Sequence, residues 1–454
     1  METKTSFFAK LTEASTKFVE RVLPNAFVFA ALLTPVVFLS GIIFTKQAPM
    51  SMVIHWYDGF WSLLTFAMQM ALIVVTGHAL ALSPIFKRGL RAMASIPRTP
   101  TQGILIVTVV SAIACWINWG FGLVIGALYA REIAKRIRGI DYRLLIASAY
   151  SGFIVWHAGL SGSIPLKIAT GDKDLSRLSG GVFTEAVPIA ETIFAPFSYV
   201  PALVLMATLP ILNVFMQPSK DKIIAVSPDV LKEDDVEPPQ KADTLAKKLD
   251  NSWLISYALG LMGLAYIIHY FSQKGFSLNL NILIFVFFTL GLLFHKTPIR
   301  FVAAVRQAIK GTAGVVVQFP LYAGIMGMME GVGPEGFSLA SLMTSFFSSV
   351  SSAETLPFFS FLAAGILNFF VPSGGGHWVI QGPILMPAAA ELGASTTKTA
   401  MAIAWGDAWT NLVQPFWALP ALGIAGLGAR DIMGFCLIAM LYGGLIISLA
   451  LFIF

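Results

Sequence analysis

Nine stretches of the chain are long, apolar and carry at most one charged residue each: 24–45, 60–86, 144–169, 192–216, 253–271, 279–295, 311–331, 399–428 and 432–454. A helix needs about 20 apolar residues to cross the hydrocarbon layer of a membrane. Water is absent there, so a spanning segment must satisfy its own backbone. The runs therefore predict an all-α polytopic membrane protein of about nine transmembrane helices. With 56% hydrophobic and 12% charged residues, the chain is too apolar for a soluble domain. The 36 Phe and 10 Trp suit lipid-facing and interfacial surfaces.

Two further apolar stretches, about 101–138 and 355–392, are interrupted near their middle. The second holds Val371-Pro372-Ser373-Gly374-Gly375-Gly376-His377-Trp378-Val379-Ile380-Gln381-Gly382-Pro383. Pro372 ends an incoming helical arm, because the residue before proline is pushed out of the α region. The glycines let the chain turn and leave amide N–H groups uncovered. A second arm starts near Trp378, with its positive end toward the turn, where a carboxylate can sit. Each interrupted stretch is read as a re-entrant hairpin that enters and leaves on one side.

Charge tests this scheme. With a cytoplasmic N-terminus, only Lys46, Lys173, Arg177, Lys274 and Lys398 of the 30 Lys and Arg fall outside. Lys167 lies within a span and the rest face the cytoplasm, as the positive-inside rule requires. If either hairpin crossed fully, everything after it would invert. The formal charge of +6 thus reflects topology and does not point to nucleic acid. Residues 1–23 are basic, without a small-residue cleavage site, and read as a retained cytoplasmic or interfacial helix. Cys115 and Cys436 match no metal spacing and no disulfide framework.

The proline-rich, mixed-charge segment 217–250 reads as a cytoplasmic linker. It separates a first repeat (1–216, hairpin about 101–138, broken helix 144–169) from an extra transmembrane helix (251–278). A second repeat follows (279–454, hairpin about 355–392, broken helix 399–428). Gly120 and Gly122 pair with Gly374 and Gly376, Ala147 to Tyr150 with Ala402 to Trp405, and Pro165 with Pro420, in order and at near-constant spacing. The extra helix inverts the second repeat. Inverted repeats with interrupted helices at the midplane mark secondary transporters.

The span after each hairpin is itself interrupted. One contains Trp156, His157, Ser161, Gly162, Ser163 and Pro165; the other contains Asp407, Thr410, Asn411 and Pro415. Proline removes a backbone donor, so both are expected to break at membrane depth. Asp407 lies well inside a span, which makes it a coupling-ion candidate, or a partner for Asn411 one turn on. His377 can donate to a carboxylate or carry a proton near neutral pH. His78 and His157 read as satisfied interior groups, Lys167 as a snorkelling side chain, and Arg131 with Glu132 as an ion pair or topology marker. No GxSxG, HExxH or Walker A string occurs, and nothing points to an enzyme.

Several strings resemble the short-chain fatty acid transporter family: 56–61 (Trp-Tyr-Asp-Gly-Phe-Trp), 69–80, Ile117 to Val124, Val371 to Pro383, and Gln414 to Pro420. The likeness covers nearly the whole chain. It implies uptake of short monocarboxylates such as acetoacetate or butyrate across the bacterial inner membrane; the nine-span scheme with a cytoplasmic N-terminus puts the C-terminus in the periplasm. The chain is also similar to a branch of the larger ion-transporter superfamily. That implies a scaffold, a mobile elevator-like transport domain and a homodimer. Better-known anion carriers of that superfamily bind Na⁺ at Ser-Asn-Thr tips. Here the tips read Asn118-Trp119-Gly120 and Ser373-Gly374-Gly375, a departure from that Na⁺ pattern, and H⁺ through His377 or Asp407 is the expected coupling. No cofactor or metal is expected beyond the coupling ion.

On this reading a small carboxylate sits between the tips. Amides around Gly120, Gly122, Gly374, Gly375 and Gly376 hold its charge, helped by Asn118 and Ser373. Trp119, Trp156 and Trp378 pack its tail. Ser161, Ser163, His377, Thr410 and Asn411 complete the expected substrate site, and His377 and Asp407 the coupling site. A Na⁺-coupled carrier of dicarboxylates is the rival within transport. A carboxylate sensor or intramembrane enzyme is the rival outside it.

Overall fold

A computed structural model describes residues 7–171, 175–226, 243–275 and 279–454. Most of the expected linker, 227–242, lies outside the described residues. Every regular element among the described residues is helical. The first half forms α1 (Phe7–Val22), α2 (Ala26–Phe44), α3 (Pro49–Ser62), α4 (Leu64–Leu82), α5 (Pro84–Met93), α6 (Pro100–Ile117) and α7 (Trp119–Arg136). It continues through α8 (Tyr142–Ser151), a 3-10 segment (Gly152–Ala158), α9 (Ser163–Thr170), α10 (Leu175–Leu178) and α11 (Pro196–Phe215). The second half forms α12 (Leu245–Asp250), α13 (Trp253–Lys274), α14 (Leu280–His295), α15 (Pro298–Ala308), α16 (Ala313–Glu330) and α17 (Leu339–Ser349). It ends with α18 (Leu356–Leu367), α19 (Gly374–Leu392), α20 (Thr396–Thr410), α21 (Pro415–Ala425) and α22 (Ala429–Ile453).

Local sequence explains many helix starts. Pro49, Pro84, Pro100, Pro196, Pro298 and Pro415 each open a helix, where the missing N–H costs nothing. Thr99, Asp141, Asn279, Ser338 and Ser395 cap others by accepting from an amide of the first turn. Seven helical runs among the described residues are long and apolar enough to cross a bilayer. Leu280–His295, Leu356–Leu367 and Pro415–Ala425 are apolar but shorter.

The helices pack in two groups. Helices α2, α3, α4, α13, α14, α15 and α16 pack on one another. Helices α1, α6, α7, α8, α11, α18, α20 and α22, with the 3-10 segment, form the other group. Each group draws on both halves of the chain. Helix α21 lies between them, against α4 and α16 on one side and α7, α8 and α22 on the other.

Small residues set the closest crossings. A Cβ on Gly59 of α3 would lie 2.8 Å from the Cα of Gly327 in α16. One on Gly406 of α20 would lie 2.2 Å from the carbonyl oxygen of Phe361 in α18. Without water between helices, such approach supplies the van der Waals contact that holds them. Buried hydrogen bonds add to it. Asn213 of α11 donates to Thr108 of α6 at 3.1 Å and to Ser151 of α8 at 2.9 Å. Outward, α2 exposes Leu32, Val36 and Ile43, and α13 exposes Leu259, Met262 and Ile268, an apolar face suited to lipid.

Candidate functional site

Two helix–turn–helix tips frame the site. At the first, α6 ends at Ile117 and α7 begins at Trp119, with Asn118 extended between them (φ −151°, ψ 117°). At the second, α19 begins at Gly374 after an extended Ser373 (φ −147°, ψ 108°). Asn118 Oδ1 accepts from the Phe121 N–H at 3.0 Å, and Ser373 Oγ accepts from the Gly376 N–H at 3.2 Å. The two residues share one backbone shape and one capping task. They therefore correspond, one position off the register that the glycines suggest.

This capping revises the expected anion cradle. The Gly122 N–H is held by the Asn118 carbonyl at 2.9 Å, and the Gly376 N–H is taken by Ser373. The Trp119 N–H donates to Ser161 Oγ at 2.9 Å. Among the described residues, the N–H groups of Gly120, Gly374 and Gly375 make no hydrogen bond outside the helices' own ladders. Three glycine amides remain, not five.

The chain after α8 tightens into the 3-10 segment, then breaks over 159–162 before α9. Gly159 is required there, because a Cβ would lie 2.1 Å from the carbonyl oxygen of Trp116. That carbonyl, freed at the end of α6, accepts from the Leu160 N–H at 2.8 Å. The break thus closes the last turn of the first hairpin's incoming arm. The chain breaks again over 411–414, where Asn368 of the second hairpin donates to Thr410 Oγ1 at 3.0 Å and to the Asp407 carbonyl at 3.1 Å. Gln414 then caps α21 through the Phe416 N–H at 2.7 Å.

A cavity of about 860 Å³ opens beside the first tip. Asn118, Trp119, Ser161 and Ser163 line it, with Gln69, Asn279 and Asn281. Among the described residues that line it, Lys167 and Lys274 are the charged ones. Phe66, Leu160, Leu166 and Leu280 supply apolar wall. Lys167 reads from the sequence as a snorkelling chain; the fold brings it to the cavity lining.

Behind Trp119 lies an aromatic group. Its ring centre is 5.1 Å from Trp417 and 5.9 Å from Trp156. Trp156 stacks on Phe153 (5.4 Å, 6°) and on His157 (4.2 Å, 14°). Phe66 and Phe319 extend the group to the other set of helices. Trp378 is not part of it and stacks on Phe183 at 6.3 Å instead, because residues one position apart on α19 face different neighbours. Trp417, absent from the sequence expectation, occupies the place foreseen for Trp378.

A buried polar cluster lies on the other side of Trp156. His157 Nδ1 is 2.8 Å from Asp407 Oδ2, and His157 Nε2 accepts from the Ile164 N–H at 3.1 Å. His377 Nε2 is 3.0 Å from the Val371 carbonyl and 3.6 Å from Asp407 Oδ1. His377 Nδ1 is 3.1 Å from Gln381 Oε1. All four side chains are fully buried. Gly374 of the second tip rests on this cluster, since a Cβ there would be 2.5 Å from His157 Cε1. Asn411 reaches Asp407 at 3.5 Å, and Thr410 donates to the Gly365 carbonyl at 2.9 Å.

The expected residues therefore divide. Asn118, Trp119, Ser161 and Ser163 meet at the cavity. Ser373, Gly374, His377, Asp407, Thr410 and Asn411 meet in or beside the buried cluster, with Trp156 between the two sets. Gly375 is exposed at the second tip. His157, Lys274, Trp417, Asn368 and Gln381 are additions. His157 had a legible signal: a carboxylate at membrane depth needs a donor, and the companion broken span offers this one. Arg131 and Glu132 do not pair with each other; Glu132 pairs with Lys135, and Arg131 Nη1 lies 3.3 Å from His78 Nε2. No group of three or more His, Cys, Asp or Glu among the described residues is arranged to hold a metal ion.

Comparison with known proteins gives the family. The family described as short chain fatty acid transporter matches residues 7–454. A candidate short-chain fatty acid transporter of Escherichia coli (strain K12) is 45% identical over 448 residues, which is 98% of this chain and 99% of that one. One of Haemophilus influenzae is 43% identical over 451 residues, again 98% and 99%. The solved YdaH transporter of Alcanivorax borkumensis aligns over 95% of this chain and 97% of that one, at 15% identity and a TM-score of 0.43. On the full-length sequence match, the chain belongs to the short-chain fatty acid transporter family.

Proposed function

We propose that this multi-pass membrane protein is a secondary active symporter for short monocarboxylates of the acetoacetate and butyrate class. The cavity beside the first tip carries the proposal. Its described lining joins two lysines, side-chain amides and two serine hydroxyls to an aromatic and aliphatic wall. One end suits a carboxylate and the other a short tail. The charge meets Lys167, Lys274 and the Asn118 and Ser161 side chains, while Phe66 and Trp119 pack the carbons. The names of the relatives support the same substrate class.

Accumulating an anion inside works against the membrane potential, about 2.3 kcal/mol per charge per 100 mV. A co-transported cation offsets that cost. Protons are the choice here, with His377 and Asp407 as the coupling groups. The protein sits in the inner membrane as a homodimer with its N-terminus cytoplasmic and its C-terminus periplasmic. The group containing both tips moves against the other, elevator-like.

The test is uptake of labelled butyrate, acetoacetate and succinate into proteoliposomes under separately imposed H⁺ and Na⁺ gradients. Butyrate and acetoacetate are expected to accumulate with the H⁺ gradient alone. Lys167→Gln should raise KM for butyrate about threefold to tenfold, the scale of one partly screened charge. Accumulation driven by Na⁺ alone, or succinate as the preferred cargo, would replace this reading with a Na⁺-coupled dicarboxylate carrier.

A further inference from the structure

The buried cluster holds two histidines around one carboxylate, and hydrogen bonding makes them unequal. His157 Nε2 accepts the Ile164 N–H, the second amide of α9. Gly162, the residue before that helix, has no side chain to cap it. The ring nitrogen takes the capping role and must stay unprotonated to do so. Its proton therefore sits on Nδ1 and is donated to Asp407 Oδ2. Protonating His157 would set two N–H groups against each other.

His377 has the opposite surroundings. A carbonyl can only accept, so Nε2 carries a proton toward Val371. Nδ1 faces Gln381 Oε1, a second acceptor. Both nitrogens have an acceptor in place only if the ring is imidazolium. Asp407 Oδ1, without a hydrogen-bond partner and 3.6 Å from the ring edge, fits that state. A neutral ring would require the Gln381 amide to turn over, so that its NH₂ donates to Nδ1.

We infer that the transported proton rides on Nδ1 of His377, received there by the Gln381 amide, with Asp407 as fixed countercharge and His157 held neutral. The inference rests on the symport reading and assigns its proton site. The step is proton transfer alone: an N–H bond forms at Nδ1 with a proton from water on one side and breaks to water on the other. Gln381 is a positioning residue. Charge on the ring also strengthens the Nε2–H bond to Val371, roughly twofold over a neutral donor. That bond ties the turn of the second hairpin to the first turn of α19, so loading the proton clamps the tip.

The elements packed against α19 are α9, α10, α17, α18 and α20. Helix α20 supplies Asp407, and the 3-10 segment beneath Gly374 supplies His157. Arg177 on α10 is exposed, Lys167 on α9 lines the cavity, and α17 and α18 have no charged or titratable side chain.

The test is ¹⁵N NMR of histidine-labelled full-length protein in liposomes, read as the signal lost in His377→Gln. That signal is expected to show Nδ1 gaining and losing a proton as pH is varied. Gln381→Leu should move its midpoint toward acid by about one unit, a tenfold change in proton concentration. The pH profile of butyrate uptake should move with it. A signal that does not titrate, a neutral ring protonated at Nδ1, or a midpoint unmoved by Gln381→Leu would overturn the assignment. Titration as described in a protein that carries no butyrate would leave the proton site standing and remove the proposed cargo.

Discussion

Single residues decide the site by what they leave out. Gly374 has no side chain, and His157 occupies the space a Cβ would need. His157 cannot give way, because Asp407 and the Ile164 N–H hold both its nitrogens. Gly374→Ala should displace the second tip, lower stability by about 1–3 kcal/mol and cut butyrate uptake by at least about tenfold. Thermal unfolding and proteoliposome uptake measure both effects. Gly375→Ala, where a Cβ meets nothing within 4 Å, should leave stability unchanged within about 0.5 kcal/mol. Uptake by Gly374→Ala at the wild-type rate would refute tip contact with the cluster. Sequence alone marked these glycines as a group. It could not separate the crowded one from the open one, because the atoms that crowd Gly374 lie far away in the chain.

At the scale of elements, helix α1 shows how a polar helix is held to a membrane bundle. Ser15 donates to the Gly434 carbonyl of α22 at 2.7 Å. Glu13 binds Lys17 at 2.7 Å and Lys222, beyond α11, at 2.8 Å. The hydrogen bond from Lys17, then that from Lys222, holds the Glu13 carboxyl down at about 2, below its ordinary 4.5. A depressed carboxyl stabilises the folded state above its unfolded value. That contribution is complete above about pH 4.5 and fades as pH falls toward 2. Glu13→Gln is therefore expected to loosen α1 at pH 7, seen as faster limited proteolysis near residue 22, with the difference from wild type shrinking at low pH. Equal cleavage at pH 7 would show that Lys222 does not anchor the helix. Basic, polar residues 1–23 made such a helix legible; its seat on α22 was not, since Gly434 carries no signal of its own.

The whole molecule is two groups of helices meeting along α21, α4, α7 and α16. A Cβ on Gly314 of α16 would lie 3.4 Å from Leu419 Cδ2 of α21. If transport moves one group against the other, joining these positions must stop it. Cysteines at Gly314 and Leu419, bridged by a short bifunctional reagent, should abolish butyrate uptake, and a cleavable bridge should restore it. Cys115 and Cys436 are fully buried and should not react. Full cross-linking with uptake intact would exclude movement between α16 and α21. Apolar runs and proline positions made the helical order legible. The grouping was not, because it depends on which faces of similar apolar helices meet.

Reading the residues alone was enough to recognise a helical membrane protein with two glycine-bearing turns and two interrupted spans. Those features follow from local chemistry: run length, proline geometry, capping side chains and absent side chains act within a few residues. The three-dimensional packing was needed to see that the expected site residues lie in two places, a lysine-bearing cavity and a buried His–Asp–His cluster, with Trp156 between them. Which side chains meet is a property of packing over hundreds of residues. A histidine such as His157 becomes a cap and a donor only when an amide on one side and a carboxylate on the other fold against it.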